Sequence, residues 1–258
     1  MSAAARPAVA PLSAMLRAQT VNELRARWRV FGFSLTSLVL PVVLFTFFGL
    51  PFARADAPGA GAHVLASFGA YAVGQVMVFG FGIGVAVERG QRIDLLVRTT
   101  PLPPAVFLAA KVLVALFFAL LSLAVLMAYA ALVGVRVPVP VAGTMMVRLL
   151  AGSVPFIALG FAIGYSAGPN AAPAVANLVY LPLAFGSGLF LPLRQLPALV
   201  RDLAPYLPTY HYAQLAWSAV GTASAPVGAS LAWLLAYSVI FGALALRAYR
   251  REERVRFG

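Results

Sequence analysis

The chain has 258 residues, 62% of them hydrophobic and only 10% charged, at a mean hydropathy of +0.92. A soluble domain carries about a quarter charged residues, so a single soluble core is excluded and an integral membrane protein is implied. Cysteine is absent, which removes disulfides, thiolate metal sites and a thiol nucleophile, and the net charge is +12 with Lys111 the single lysine.

The first residues, MSAAARPAVAPLSAMLRAQT, contain no long apolar core and do not read as a secretion signal. Residues 12–30 set Leu12, Leu16, Val21, Leu24 and Trp28 near one helical face, with Arg17, Asn22, Glu23, Arg25 and Arg29 over much of the rest. That pattern predicts an amphipathic helix lying on the membrane surface. Six apolar stretches follow, each near the roughly 20 residues that a helical span needs. They run over 33–52, with a kink at Pro41, then 63–87, 105–133, 147–167, 173–191 and 230–246. Backbone groups in lipid must be satisfied internally, so continuous runs predict helices rather than barrel strands. The expected fold is an all-α integral membrane protein of six spans.

Between the second and third spans lies ERGQRIDLLVRTTPLPP, residues 88–104. Ile93, Leu96 and Val97 share one face at i, i+3, i+4 spacing, while Arg89, Arg92 and Arg98 point mostly elsewhere. Thr100 precedes Pro101 and is pushed out of helical geometry, so the helix ends there. A short helix of this kind either docks in a groove of a partner protein or rests on the bilayer. Residues 191–221 hold Pro192, Pro197, Pro205 and Pro208, too many for one straight helix. Tyr206, Tyr210, Tyr212 and Trp217 suit a membrane interface. Short helices dipping into the outer leaflet before the last span are expected.

With six spans, 14 basic residues fall on the side of the termini and of residues 88–104, and five (Arg54, Arg136, Arg148, Arg194, Arg201) on the other. The rich side is cytoplasmic by the positive-inside rule. Basic clusters between spans face anionic lipid and do not imply nucleic acid. No Gly-rich loop ending in Gly-Lys-Ser/Thr is present, so the chain does not itself hydrolyse ATP. His63 and His211 lack a carboxylate at helical spacing and read as interfacial residues, and no catalytic or metal site is expected. No carboxylate lies in the middle of a predicted span, which counts against an ion-coupled carrier. Gly80, Gly82 and Gly84, with Gly160 and Gly164, are small-residue patterns that favour close helix approach, within the chain in the first instance and between two copies in the second.

Two stretches resemble the type-two ABC exporter permeases. Glu88, Arg89, Asp94, Leu95, Leu96, Thr100, Pro101 and Lys111 are similar to that family's cytoplasmic loop, with Gln91-Arg92 where Gly-Thr is usual. Ser187, Gly188, Pro192, Leu196, Pro197, Pro208, Thr209 and Tyr210 resemble its outer segment. The resemblance implies one transmembrane domain over 1–258: a cytoplasmic amphipathic segment at 1–31, a coupling loop at 88–104 and an outer re-entrant segment at 191–221. It implies that Glu88, Arg89, Arg92, Asp94, Leu95, Leu96 and Arg98 contact a separate cytoplasmic ATPase, which would hold the ATP and Mg; this chain needs no cofactor. It further implies a second permease copy or paralogue, a bacterial inner-membrane location and export of a hydrophobic drug or antibiotic. A lipid-linked glycan is the next candidate cargo. A non-transporting scaffold and a secondary carrier remain the readings from other classes, and the substrate-binding residues are unknown.

Overall fold

The computed structural model describes residues 11–29, 31–54, 58–93 and 102–257. Most of these residues are helical, the rest lie in turns and short connections, and no strand occurs among them. The helices are α1 (Leu12–Arg29), α2 (Phe31–Leu44), α3 (Ala60–Gly90), α4 (Pro104–Leu132), α5 (Val139–Ala151), α6 (Val154–Ser166), α7 (Ala172–Gly186), α8 (Ala198–Leu203), α9 (Pro208–Ala219) and α10 (Val227–Phe257).

Helix α3 is the axis of the bundle. It is 83% buried over its most apolar window, against 22% for the span 35–53 and 11% for that of α10, so the latter two form the periphery. Its neighbours are α2, α4, α6, α7 and α9. The close partner is α6, and small residues explain the approach. A Cβ added at Gly160 would stand 2.9 Å from both the Phe81 Cβ and the Val78 carbonyl; one at Gly164 would stand 2.8 Å from the Val85 Cβ. The two backbones therefore meet where side chains are missing, as the small-residue pattern predicts. Tyr180 of α7 donates to the Tyr71 carbonyl at 3.0 Å from within the core.

Pro41 sits inside α2, which stays helical to Leu44 and then takes a π turn, Phe45–Gly49, before a last turn at Leu50–Ala53. Proline has no N–H for the carbonyl four residues back. Here that carbonyl belongs to Ser37, and Ser122 of α4 donates to it at 2.6 Å. A lost intrahelical bond is thus replaced by an interhelical one, as backbone groups within a membrane require.

The count and limits of the spans differ from the sequence expectation. Among the described residues, four helices are long and apolar enough to cross a membrane: 35–53, 60–90, 104–132 and 227–254. A fifth is a pair, α5 and α6, bent by 44°. The run expected as one span over 147–167 breaks at Gly152 and Ser153, because Pro155 in the first turn of α6 cannot continue the hydrogen-bond ladder of α5. Helix α7 has 15 residues, short of a full span, and stops at Gly186 rather than running to Leu191. It ends in a Schellman motif: Leu189 N–H reaches the Ala184 carbonyl at 3.2 Å and Gly188 N–H the Phe185 carbonyl at 3.1 Å, with Gly188 left-handed at φ +79°.

Candidate functional site

At one end of the bundle, charges from four helices converge. Lys111 of α4 is only 2% exposed, its ammonium 3.2 Å from Glu23 of α1 and paired with Glu88 of α3. Glu23 also holds Arg27 one turn on, at 3.0 Å, and Arg27 donates from Nη1 to the Gly80 carbonyl of α3 at 2.7 Å. Burial pushes the Glu23 carboxyl up, but Lys111 and Arg27 outweigh it and hold the group below the usual carboxylate range. Arg89, next after Glu88, turns to the other side of α3. Its Nε stands 2.6 Å from Glu252 of α10, and Nη1 donates to the Gly164 carbonyl and, at 3.4 Å, to that of Ala167. The last carbonyls of a helix lack intrahelical partners and carry its negative dipole end, so Arg89 caps α6.

This cluster gives α1 a polar contact with the bundle. The helix exists over the expected residues, but Glu23 and Arg27 are each 9% exposed while Leu12 is 63% and Trp28 55% exposed. The ion pair faces the bundle, with Leu24 against the core and the Trp28 ring 5.9 Å from that of Phe118, while Leu12 and Val21 are exposed. The signal was present in the sequence as Glu23 and Arg27 at i, i+4 spacing, a pairing distance on a helix. Glu252 and Tyr165, whose ring lies 5.6 Å from the Arg89 guanidinium carbon, carried no local signal.

Of the residues assigned to the coupling loop, Glu88 and Arg89 form the last turn of α3 rather than a separate helix. Arg92 ends that helix in a left-handed conformation, φ +57°, the seat glycine usually takes. Asp94, Leu95, Leu96 and Arg98 lie outside the described residues. Pro103 and Pro104 start α4 as expected, at the N-cap and first position.

The outer motif is a set of turn and cap positions at the opposite end. Ser187 and Thr209 are fully buried beside each other, each hydroxyl 2.7 Å from the Leu183 carbonyl, so that one donates to the carbonyl while the other donates to its hydroxyl neighbour. Pro192 and Pro197 precede the short helices at Leu193–Gln195 and α8, and Pro208 opens α9. Tyr210 reaches Ser224 at 3.1 Å. Two aromatics depart from the interfacial expectation. Tyr212 is 0% and Trp217 4% exposed, with Tyr212 donating to the Leu149 carbonyl at 2.9 Å and Trp217 to Ser67 at 2.8 Å. Their polar atoms find partners on α5 and α3, so they fill the core. His63 stacks on Trp217 with 4.8 Å between ring centroids, and His211 on Trp233 with 5.1 Å.

Among the described residues the chain is thus an all-helical bundle with several candidate membrane spans, and α1, α4 and α10 bring charges to the last turn of α3. The chain belongs to the ABC-2 type transporter family, whose profile matches residues 15–221. It is 29% identical over 248 residues to a Bacillus subtilis (strain 168) protein named "Putative transport permease YvfS", covering 93% of this chain and 99% of that one. The protein is accordingly a membrane subunit of an ABC transporter, a transport component rather than a catalytic one.

Proposed function

We propose that the chain is the permease of an ATP-driven exporter, moving a hydrophobic substrate such as a drug or antibiotic outward with a separate cytoplasmic ATPase and a second permease. In this reading the bent pair α5–α6 and the short α7 complete six spans, both termini are cytoplasmic in a bacterial inner membrane, and residues 191–221 form the outer re-entrant segment. The charged cluster carries the reading. Glu88 and Arg89 anchor the start of the coupling loop to α4, α6 and α10 and, through Lys111, to α1, so movement of an ATPase against residues 94–101 is passed to most of the bundle.

The test is Leu96→Asp in the complex reconstituted with its ATPase. A buried leucine contact is worth about 1.5–3 kcal/mol, and an unpaired carboxylate in its place costs more than that loss. Substrate-stimulated ATP hydrolysis should fall at least tenfold while α3 and α4 insert normally. Unchanged stimulation, or a stable permease that recruits no ATPase, would remove the coupling role. Orientation is tested by single cysteines: Ser2→Cys and Gly258→Cys should resist an impermeant thiol reagent in intact cells, and Pro58→Cys should label.

A further inference from the structure

We propose that a groove between the C-terminal end of α6 and the C-terminal third of α10 binds the phosphate of an anionic phospholipid from the leaflet that faces the charged end of the bundle. The groove measures about 540 Å³ and is lined by Arg89, Tyr165, Leu244, Arg247, Arg251 and Glu252 among others. That volume falls in the usual range for a small-ligand site. Glu252 is matched by Arg89 at 2.6 Å, which leaves Arg247 and Arg251 as an excess of two positive charges. Both are exposed, and neither forms an ion pair among the described residues. They lie four residues apart, on one face of α10.

The surface beside the groove argues for a lipid as the source of the phosphate. Leu235 (67%), Val239 (73%) and Ile240 (51%) are exposed along α10, and Leu244 (47%) is itself part of the groove wall. Arg247 follows this apolar surface by less than one helical turn. A phosphate beside Arg247 and Arg251 would therefore have its acyl chains running along residues that already face lipid. The end of α6 would by itself repel an anion, since helix C-termini are negative. Arg89 neutralises it by occupying the carbonyls of Gly164 and Ala167. Basic pockets between spans on the cytoplasmic side are suited to anionic head groups.

The experiment titrates the full-length chain, purified in neutral detergent, with phosphatidylglycerol or phosphatidylcholine of matched chains, and counts bound lipid by native mass spectrometry. Each arginine near an anionic surface is worth about 1 kcal/mol, so Arg247→Gln with Arg251→Gln should weaken phosphatidylglycerol binding about 30-fold. Each single variant should lose about fivefold, which keeps a readout if the double variant does not fold. Phosphatidylcholine binding should not change, and the charge-matched pair Arg136→Gln with Arg201→Gln, at the opposite end, should behave as wild type. Inorganic phosphate should not displace the lipid. Equal loss in the control pair, or no loss in the groove variants, overturns the site. Displacement by inorganic phosphate overturns the lipid source and assigns the groove to a soluble anion.

Discussion

Replacing Lys111 by methionine removes one ammonium from a site where it serves two carboxylates. The two are not equally affected. Glu23 keeps Arg27 at 3.0 Å. Glu88 has no other hydrogen-bond or ion-pair partner among the described residues, and its side chain is 20% exposed. Breaking a buried pair by removing one partner costs about 3–5 kcal/mol because the remaining charge is uncompensated. The partial exposure of Glu88 places the expected loss near the lower end, about 3 kcal/mol. Methionine matches the lysine stem in length, so packing against Phe107, whose ring centroid lies 4.6 Å from the ammonium, changes little. The assay is denaturant unfolding in detergent, run on Lys111→Met, Glu88→Gln and the double variant. In the double variant no charge is orphaned at Glu88, so most of the loss should return, leaving a coupling energy of about 2 kcal/mol. A Lys111→Met loss below about 1 kcal/mol, the worth of an exposed pair, would refute the buried-pair argument, as would a double variant no more stable than Lys111→Met alone.

Other variants probe the remaining framework. Arg92→Gly relieves a left-handed conformation that costs an L-residue about 1–2 kcal/mol, so the protein should unfold at higher denaturant concentration. Gly160→Ala drives a methyl into the α3 backbone and should destabilise by about 1–3 kcal/mol. Gly143→Ala, where nothing lies within 4 Å of the new Cβ, should instead stabilise by up to about 1 kcal/mol; a matching penalty at both sites would show that helix approach is not the cause. Glu23 has a folded-state pKa below its unfolded one, so its stabilisation is full above the ordinary carboxylate range and is lost as pH falls through the lowered value. The stability gap between wild type and Glu23→Gln, followed by thermal unfolding from pH 7 downward, should therefore shrink in acid, and a gap that widens there would contradict the pairing.

Long apolar runs made α2, α3, α4 and α10 readable, because a membrane span imposes a length that composition alone reveals. The Gly-Pro punctuation around 186–208 likewise marked real turns, since Gly188 and the prolines act through their own backbones. The break between α5 and α6 was less legible. Gly152, Ser153 and Pro155 interrupt hydrogen bonding without interrupting hydropathy, so a window average passes over them. The charged cluster was legible only in pieces. Glu23, Glu88, Lys111 and Glu252 lie far apart in the chain, and their meeting depends on how α1 and α10 pack at the ends of α3 and α4. The inward contact of α1 was not legible for a related reason: Glu23 and Arg27 sit on what reads as its polar face, and only the packing against α3 and α4 brings them to Gly80 and Lys111.

Successive residues on a helix are turned by about 100°, and the adjacency of Glu88 and Arg89 puts that angle to use. One pulls toward Lys111 and the other toward Glu252, so twisting the last turn of α3 either way stretches one tether while slackening the other. A pull along the helix axis loads both tethers together. The end of α3 is therefore stiff in torsion, and a force arriving beyond Arg92 is shared between opposite sides of the bundle. The helices tied to it are then displaced as a block instead of peeling away one at a time.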